Sequence, residues 1–220
     1  MSKHEQGAFD LAADKARALA LTPVSRETEK RLDRFVELLL LRQQKQNLVA
    51  SSTLPHIWTR HIADSLQLLP LAPGAKVWAD FGSGGGFPGI PIACALAEMG
   101  RVHLVESVGK KAVFLREAVV VTGVNAPVHH IRAEAFAESC AERVDVVTAR
   151  ALSPLKTLCD QVFPLIAKGA VGLFPKGQDV DAELTDAAKY WTIHADKVPS
   201  VTRPESSILV IRRLARRRTT

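Results

Sequence analysis

Five glycines crowd the twelve residues Asp80-Phe-Gly-Ser-Gly-Gly-Gly-Phe-Pro-Gly-Ile-Pro91. Glycine costs conformational entropy on folding, so a cluster this dense implies a backbone that bends sharply or one that something approaches closely. Lys76-Val-Trp-Ala before it reads as a short strand, and Ile92-Ala-Cys-Ala-Leu-Ala after it reads as a helix. A glycine-rich turn between the first strand and first helix of a parallel sheet is where nucleotide-like ligands bind. Gly82, Gly84 and Gly86 would let the backbone bend and a ligand lie against it. Pro88 suits the first helical position, where its missing N–H is no loss, and Pro91 still falls within the first turn.

The spacing narrows the ligand. Gly84 to Gly89 formally matches G-x-G-x-x-G, but the dinucleotide fingerprint starts at the strand end and this match starts four residues after Asp80. Asp80-Phe-Gly82-Ser-Gly84-Gly-Gly86 fits better the acidic-x-G-x-G-x-G loop that accommodates the amino-acid end of S-adenosylmethionine. Leu104-Val-Glu106 ends the next strand in a carboxylate placed to accept both ribose hydroxyls, a device that NAD enzymes share. Ala133-Glu134, just after the third strand, would sit beside an adenine; Glu134 is equally readable as a helix-start acid favoured by the macrodipole.

Two basic residues follow later strands. Arg150 should face the cofactor or a target base, with a structural ion pair as the alternative. Lys176 could meet nucleic-acid phosphate or a base edge, or simply end its strand. Lys110 and Lys111 start a helix, where positive charge opposes the dipole; a partner or a solvated face would explain them. Arg60, His61, Asp64 and Ser65 lie at helical spacings, so they read as a local ion-pair and hydrogen-bond cluster docking the N-terminal helix. His61 as a base is the competing reading.

These residues need elements to hold them. Leu32, Phe35, Val36, Leu39 and Leu40 repeat at three and four residues, the stripe of an amphipathic helix that starts near Ser25, with Glu27 and Glu29 in its first turn. A third helix is expected over 54–69, after which Pro73-Gly74 breaks the pattern. Strands are expected at 77–80, 102–106, 128–131, 144–148 and 170–174, with helices at 88–97, 110–122, 133–139 and 154–168. One more helix and two strands, 190–194 and 207–211, would form an antiparallel edge. Alternating short strands and helices argue for an α/β fold, a mostly parallel seven-stranded sheet with helices on both faces. The division expected is 1–74 as a helical extension packing on the catalytic domain, 75–213 as that domain, and 214–220 as a basic tail.

Composition sets the remaining limits. At 220 residues and 47% hydrophobic, the chain is one ordinary domain with a core of its own. Its longest apolar runs are too short to span a bilayer, and the N-terminal stretch lacks the continuous apolar segment of a signal peptide. Three cysteines, Cys94, Cys140 and Cys159, share no metal-like spacing; no metal or disulfide is expected, and the setting is cytoplasmic. Arg212, Arg213, Arg216, Arg217 and Arg218 account for nearly all of the net charge of +6. They read either as a solvated tail or as a contact to a polyanion.

The chain resembles the bacterial small-subunit ribosomal RNA methyltransferase G family, also called glucose-inhibited division protein B. The resemblance rests on Arg60-His-Ile-Ala-Asp-Ser65, on the glycine loop from Asp80 to Pro91, and on Glu106-Ser-Val-Gly-Lys-Lys-Ala-Val-Phe-Leu-Arg116. It rests also on Ala149-Arg-Ala151, Lys176-Gly177 and Leu209-Val-Ile-Arg212. Together they span residues 47–212. The resemblance implies a Rossmann-like class I methyltransferase that moves a methyl group from S-adenosylmethionine to N7 of a guanine in the 530 loop of 16S ribosomal RNA. It implies cofactor contacts at Gly82, Phe87, Glu106, Ala133, Glu134 and Arg150. The residues themselves make Asp80, Gly84 and Gly86 supports of the loop, and Arg150 and Lys176 candidates to position substrate. The implied partner is 16S RNA or the small ribosomal subunit, met by a monomer.

Two departures from the family pattern stand out. Gly85 occupies a position often larger or proline, which should loosen the loop, and Asn47-Leu-Val replaces Asn-Leu-Thr. Guanine N7 carries a lone pair and no proton, so no general base is expected; the enzyme's contribution would be alignment. A methyltransferase for another RNA, a protein or a small molecule shares the fold. A nicotinamide-dependent oxidoreductase would need a separate substrate region, and a noncatalytic RNA-binding module would not explain the cofactor loop with Glu106.

Overall fold

A computed structural model describes residues 10–217, which are organised by one seven-stranded sheet of order β3-β2-β1-β4-β5-β7-β6. The strands are β1 (Val77–Phe81), β2 (Arg101–Val105), β3 (Val128–His129), β4 (Val146–Ala149), β5 (Val171–Lys176), β6 (Trp191–Pro199) and β7 (Ser207–Arg216). The first five are parallel, and β7 runs antiparallel to both β5 and β6. Strand order reverses beside β1, which opens a crevice at the carboxyl ends of β1 and β4.

Alternation along β1 explains the helices on both faces. Trp78 points into a core shared with α2 (Arg26–Gln43), α4 (Gly89–Leu96) and α5 (Gly109–Thr122). Ala79 and Phe81 point the other way, toward α6 (Ala133–Ser139), α7 (Leu155–Ala167) and α8 (Val180–Ala187). The period of two along a strand makes this division automatic. Pro88 stands one position before α4 rather than inside it.

The N-terminal segment contributes directly to the first core. Helix α2 follows α1 (Leu11–Leu21). It starts where Ser25 accepts a hydrogen bond from the Thr28 amide at 3.1 Å. Its buried face is Leu32, Phe35, Val36 and Leu39, with Leu40 half-buried at its margin. The helix expected over 54–69 is not one regular helix. A 3₁₀ turn (Ser51–His56) containing Pro55 gives way to a π-helical turn (Trp58–Ala63) and then to the short α3 (Asp64–Leu66). Pro55 withholds an N–H. The buried Asp14 carboxylate of α1 accepts from the Trp58 amide at 2.8 Å and the Thr59 hydroxyl at 2.7 Å. An acceptor from outside the segment thus takes amides that an α-helix would have paired internally.

The C-terminal end also differs from expectation. β7 continues through Leu214, Ala215 and Arg216, so these residues belong to the sheet and not to a tail. Arg216 lies 4.8 Å from the Trp191 ring centroid and 5.8 Å from that of Phe163, and pairs with Asp160 at 3.2 Å. Arg212 pairs with Asp196 at 3.3 Å. Arg218 lies outside the described residues. None of the described helices is long and apolar enough to cross a membrane.

Candidate active site

The glycine loop leaves β1 and turns through Gly82, Gly84 and Gly86, which have φ of +66°, +52° and +87°. Side chains rarely tolerate these angles. Gly85 does not loosen the loop, contrary to expectation. A Cβ there would lie 2.7 Å from the Leu48 carbonyl oxygen, so the absence of a side chain lets the loop pack against the Asn47-Leu-Val segment. That segment is held by its backbone. Gln43 accepts from the Leu48 and Val49 amides at 2.9 and 3.1 Å and donates to the Val49 carbonyl at 2.9 Å. None of these bonds uses the side chain at position 49.

Two carboxylates brace the loop from below. Asp80 is fully buried; it accepts from the Gly89 amide at 3.1 Å and the Thr148 hydroxyl at 2.9 Å. Burial pushes its pKa up to about 6, against the opposing pull of those bonds and of Arg150. Glu106, also buried, accepts from the Gly84 amide at 2.8 Å and from the Val108 amide at 2.7 Å. Each Glu106 oxygen keeps a second acceptor direction, which a vicinal diol would satisfy. A Cβ on Gly84 would meet only the Gly82 carbonyl oxygen, at 3.5 Å, so space remains above the loop. These features fit an S-adenosylmethionine site.

Phe87 is buried between Phe35 and His61, at ring separations of 5.2 and 4.8 Å, so its side chain anchors the loop. Ala133 is buried at the start of α6, and Glu134 beside it is exposed. Gln161 donates to Glu134 at 2.8 Å, and that bond holds the Glu134 carboxyl below its usual range.

Across β1 lies a cleft of about 730 Å³ at the carboxyl ends of β4 and β5, lined by Arg60, Arg150, Ser153, Lys176 and Arg203 among others. Both predicted basic residues therefore face one space. Arg150 pairs with Asp64 at 3.7 Å and lies 5.2 Å from the Phe87 ring centroid. Lys176 donates to Glu183 at 2.7 Å, and Glu183 also accepts from the Leu155 amide at 2.9 Å. Leu152 links the two halves, since a Cβ on Gly82 would fall 2.6 Å from its Cδ1. Sequence reasoning missed Arg203, carried to the cleft by the β6–β7 connection, and Gln161, inside an apolar helix face; neither sits in a motif.

Asp64 corrects the reading of the Arg60–Ser65 cluster. Within the segment, Ser65 donates to the His61 carbonyl at 2.6 Å. Asp64 instead reaches outward, to Arg150 and to the Thr202 hydroxyl at 2.7 Å. The segment is docked across the cleft onto the loop after β4 and the β6–β7 connection. His61 contacts Thr53 at 2.8 Å through Nε2, and its buried Nδ1 has no hydrogen-bond partner among the described residues. Burial, with Arg150 and Arg60 adding to it, pushes the ring down to about 3, so it is neutral at pH 7. Lys110 is exposed at the start of α5, whose N-cap has no side-chain hydrogen bond. Among the described residues, no group of three or more His, Cys, Asp or Glu is positioned to hold a metal ion.

Comparison with known proteins decides the family. Residues 28–210 match the family model for the rRNA small subunit methyltransferase G, GidB. This chain belongs to that family. A Bradyrhizobium sp. (strain ORS 278) ribosomal RNA small subunit methyltransferase G is 59% identical over 94% of this chain and 95% of its own. The protein of that name from Nitrobacter hamburgensis is 57% identical over 94% of this chain and 80% of its own. Solved structures share the fold. The O-methyltransferase from Bacillus cereus in complex with SAH superimposes with a TM-score of 0.57 at 15% identity, covering 91% of this chain and 96% of that one. TomG of Streptomyces achromogenes, in complex with SAM, gives 0.57 at 14% identity over 96% of this chain and 99% of its own. The methyltransferase G family member described here thus has a class I methyltransferase fold with its glycine loop and basic cleft on opposite sides of the β1–β4 crevice.

Proposed function

We propose that this chain transfers a methyl group from S-adenosylmethionine to N7 of a guanine in the 530 loop of 16S ribosomal RNA. The observation that carries the reading is the Glu106 carboxylate, clamped to the Gly84 amide of the glycine loop and to Val108, with β1 between it and a basic cleft. Family membership supplies the nucleic-acid substrate class. In this reading Glu106 accepts both ribose hydroxyls, Ala133 and Glu134 border the adenine, and Gly82, Phe87 and Arg150 border the amino-acid end. Asp80, Gly84 and Gly86 hold the loop in shape.

When bound, S-adenosylmethionine supplies an electrophilic sulfonium methyl to which an unprotonated ring nitrogen can bond directly. The protein's own contribution is alignment. Arg150, fixed by Asp64 and stacked near Phe87, would orient the base, and Lys176 would meet phosphate or a base edge after exchanging Glu183. Neutral His61 packs the wall and moves no proton. Such a substrate would be met in the cytoplasm.

The test is methylation of purified small ribosomal subunits that lack the mark, followed by mapping of the modified base. A single 7-methylguanine in the 530 loop is the expected result. Methyl transfer to another RNA, a protein or a small molecule would keep the fold-level reading and discard the substrate. Calorimetry should show one S-adenosylhomocysteine bound per chain and no comparable NAD binding; the reverse would discard the cofactor as well.

A further inference from the structure

A hydrogen-bonded chain joins the two halves of the site through Gln161. Its Nε2 donates to Glu134 at 2.8 Å, and its Oε1 accepts from the Ser153 hydroxyl at 3.1 Å. The polarity of this chain is forced. An ionised carboxylate only accepts, and Glu134 has its pKa held below the usual range. The Gln161 amide must therefore turn its NH₂ group toward Glu134 and its carbonyl toward Ser153. Ser153 has one proton, and it goes to that carbonyl. Toward the cleft that it lines, the Ser153 oxygen is left as an acceptor.

The position of Gln161 makes this arrangement informative. The buried residues around it on α7 are Leu155, Leu158, Cys159, Val162, Leu165 and Ile166. A leucine at 161 would complete that apolar face without desolvating an amide. A buried amide is tolerated only where both ends find partners, and here the partners are an acid at the start of α6 and a hydroxyl at the cleft wall. The loop carrying Ser153 is constrained from both sides as well. Ala151 has φ of +51°, and Pro154 is the N-cap of α7.

We propose that Gln161 is a positioning residue that, anchored by Glu134, orients Ser153 to accept a hydrogen bond from the ring N1–H of the substrate guanine. This rests on the reading of the cleft as the base site. The consequence is selectivity. Guanine presents a protonated ring nitrogen, N1–H, on its Watson–Crick edge. Adenine presents an unprotonated ring nitrogen at the corresponding place, which would leave two acceptors facing each other. A freely rotating serine could serve either base; a serine held by Gln161 serves the donor.

The experiment uses Ser153→Ala, Gln161→Leu, the double variant and Ser153→Thr. It measures small-subunit affinity without cofactor, then KM and kcat with it. Each single variant should raise the dissociation constant and KM by about three- to tenfold, the scale of one hydrogen bond, with kcat much less affected. The double variant should be no worse than either single one, and Ser153→Thr should behave as wild type. Multiplying effects in the double variant, or unchanged affinity and KM in Gln161→Leu, would overturn the proposal. Should Gln161→Leu fail to fold, Gln161→Met replaces it with the same expected values. Arg150→Ala separates the two levels. If it leaves methyl transfer intact, the cleft is not the base site and both readings fall. If it abolishes transfer while the Ser153 and Gln161 variants are silent, only the present inference falls.

Discussion

At the glycine loop, acidic side chains are matched to main-chain amides: Glu106 to Gly84 and Val108, and Asp80 to Gly89. In the cleft on the other side of β1, basic side chains are matched to other side chains: Arg150 to Asp64 and Lys176 to Glu183. An amide tied into the fold cannot leave its carboxylate, so the first arrangement is fixed before any ligand arrives. An ion pair can exchange one anion for another, so the second yields to an incoming phosphate or base. On the proposed reading, the cofactor half would be preorganised and the substrate half held in readiness by partners that can be displaced.

Five variants probe that contrast. Arg150→Ala should lower kcat about a hundredfold with saturating substrate, the usual scale of a lost alignment; a normal kcat would make Arg150 a structural ion pair and move the base site out of the cleft. Asp80→Asn tests the fixed half by pH. The folded-state pKa of Asp80 is raised to about 6, so its favourable contribution is complete below about pH 4 and is lost as pH rises through 6. The variant should gain up to about 3 kcal/mol over wild type across that window, read from urea unfolding at several pH values. Parallel pH profiles would refute it.

Glu106→Ala should weaken S-adenosylhomocysteine binding by about 1.5–3 kcal/mol in calorimetry while the fold survives. Unchanged affinity would move the ribose elsewhere. Gly85→Ala should cost about 1–3 kcal/mol of stability, because its Cβ would press on the Leu48 carbonyl; an unaltered unfolding midpoint would show that the 47–49 segment gives way freely. Arg216→Ala should cost about 0.5–1 kcal/mol of stability and leave the salt dependence of RNA binding unchanged. A flatter salt dependence would return Arg216 to the role of a phosphate contact.

The geometry of the glycine-loop side was legible in the sequence because its signals are local. A loop of alternating glycines and an acid at a strand end declare themselves within a few residues, and Asp80, Gly82 and Glu106 stand where the strand–turn–helix reading put them. The basic cleft is assembled from distant segments. Asp64 meets Arg150 and Thr202 only after the chain has folded, so helical spacing around Arg60–Ser65 suggested a local cluster instead. Gly85 was misread because the Leu48 carbonyl it accommodates is far away in sequence. The π-helical turn was hidden for the same reason: Asp14 is an acceptor supplied from another helix. The end of β7 was obscured by charge, since a run of arginines resembles a tail until Trp191 and Phe163 are seen beneath Arg216.

The position of β7 between β5 and β6 has a consequence for how the chain is made. Synthesis delivers β1 to β5 first, in an order that lets each parallel pair zip as it emerges. β5 then waits with one edge bare while α8 and β6 are added, because its neighbour is the last of the described strands. An unpaired edge next to an apolar core is a template for wrong partners. Until Ser207–Arg216 slides into that slot, the nascent protein is at its most vulnerable to self-association. A chain stopped before Ser207 would keep its complete glycine loop and still lack the strand that makes the sheet whole.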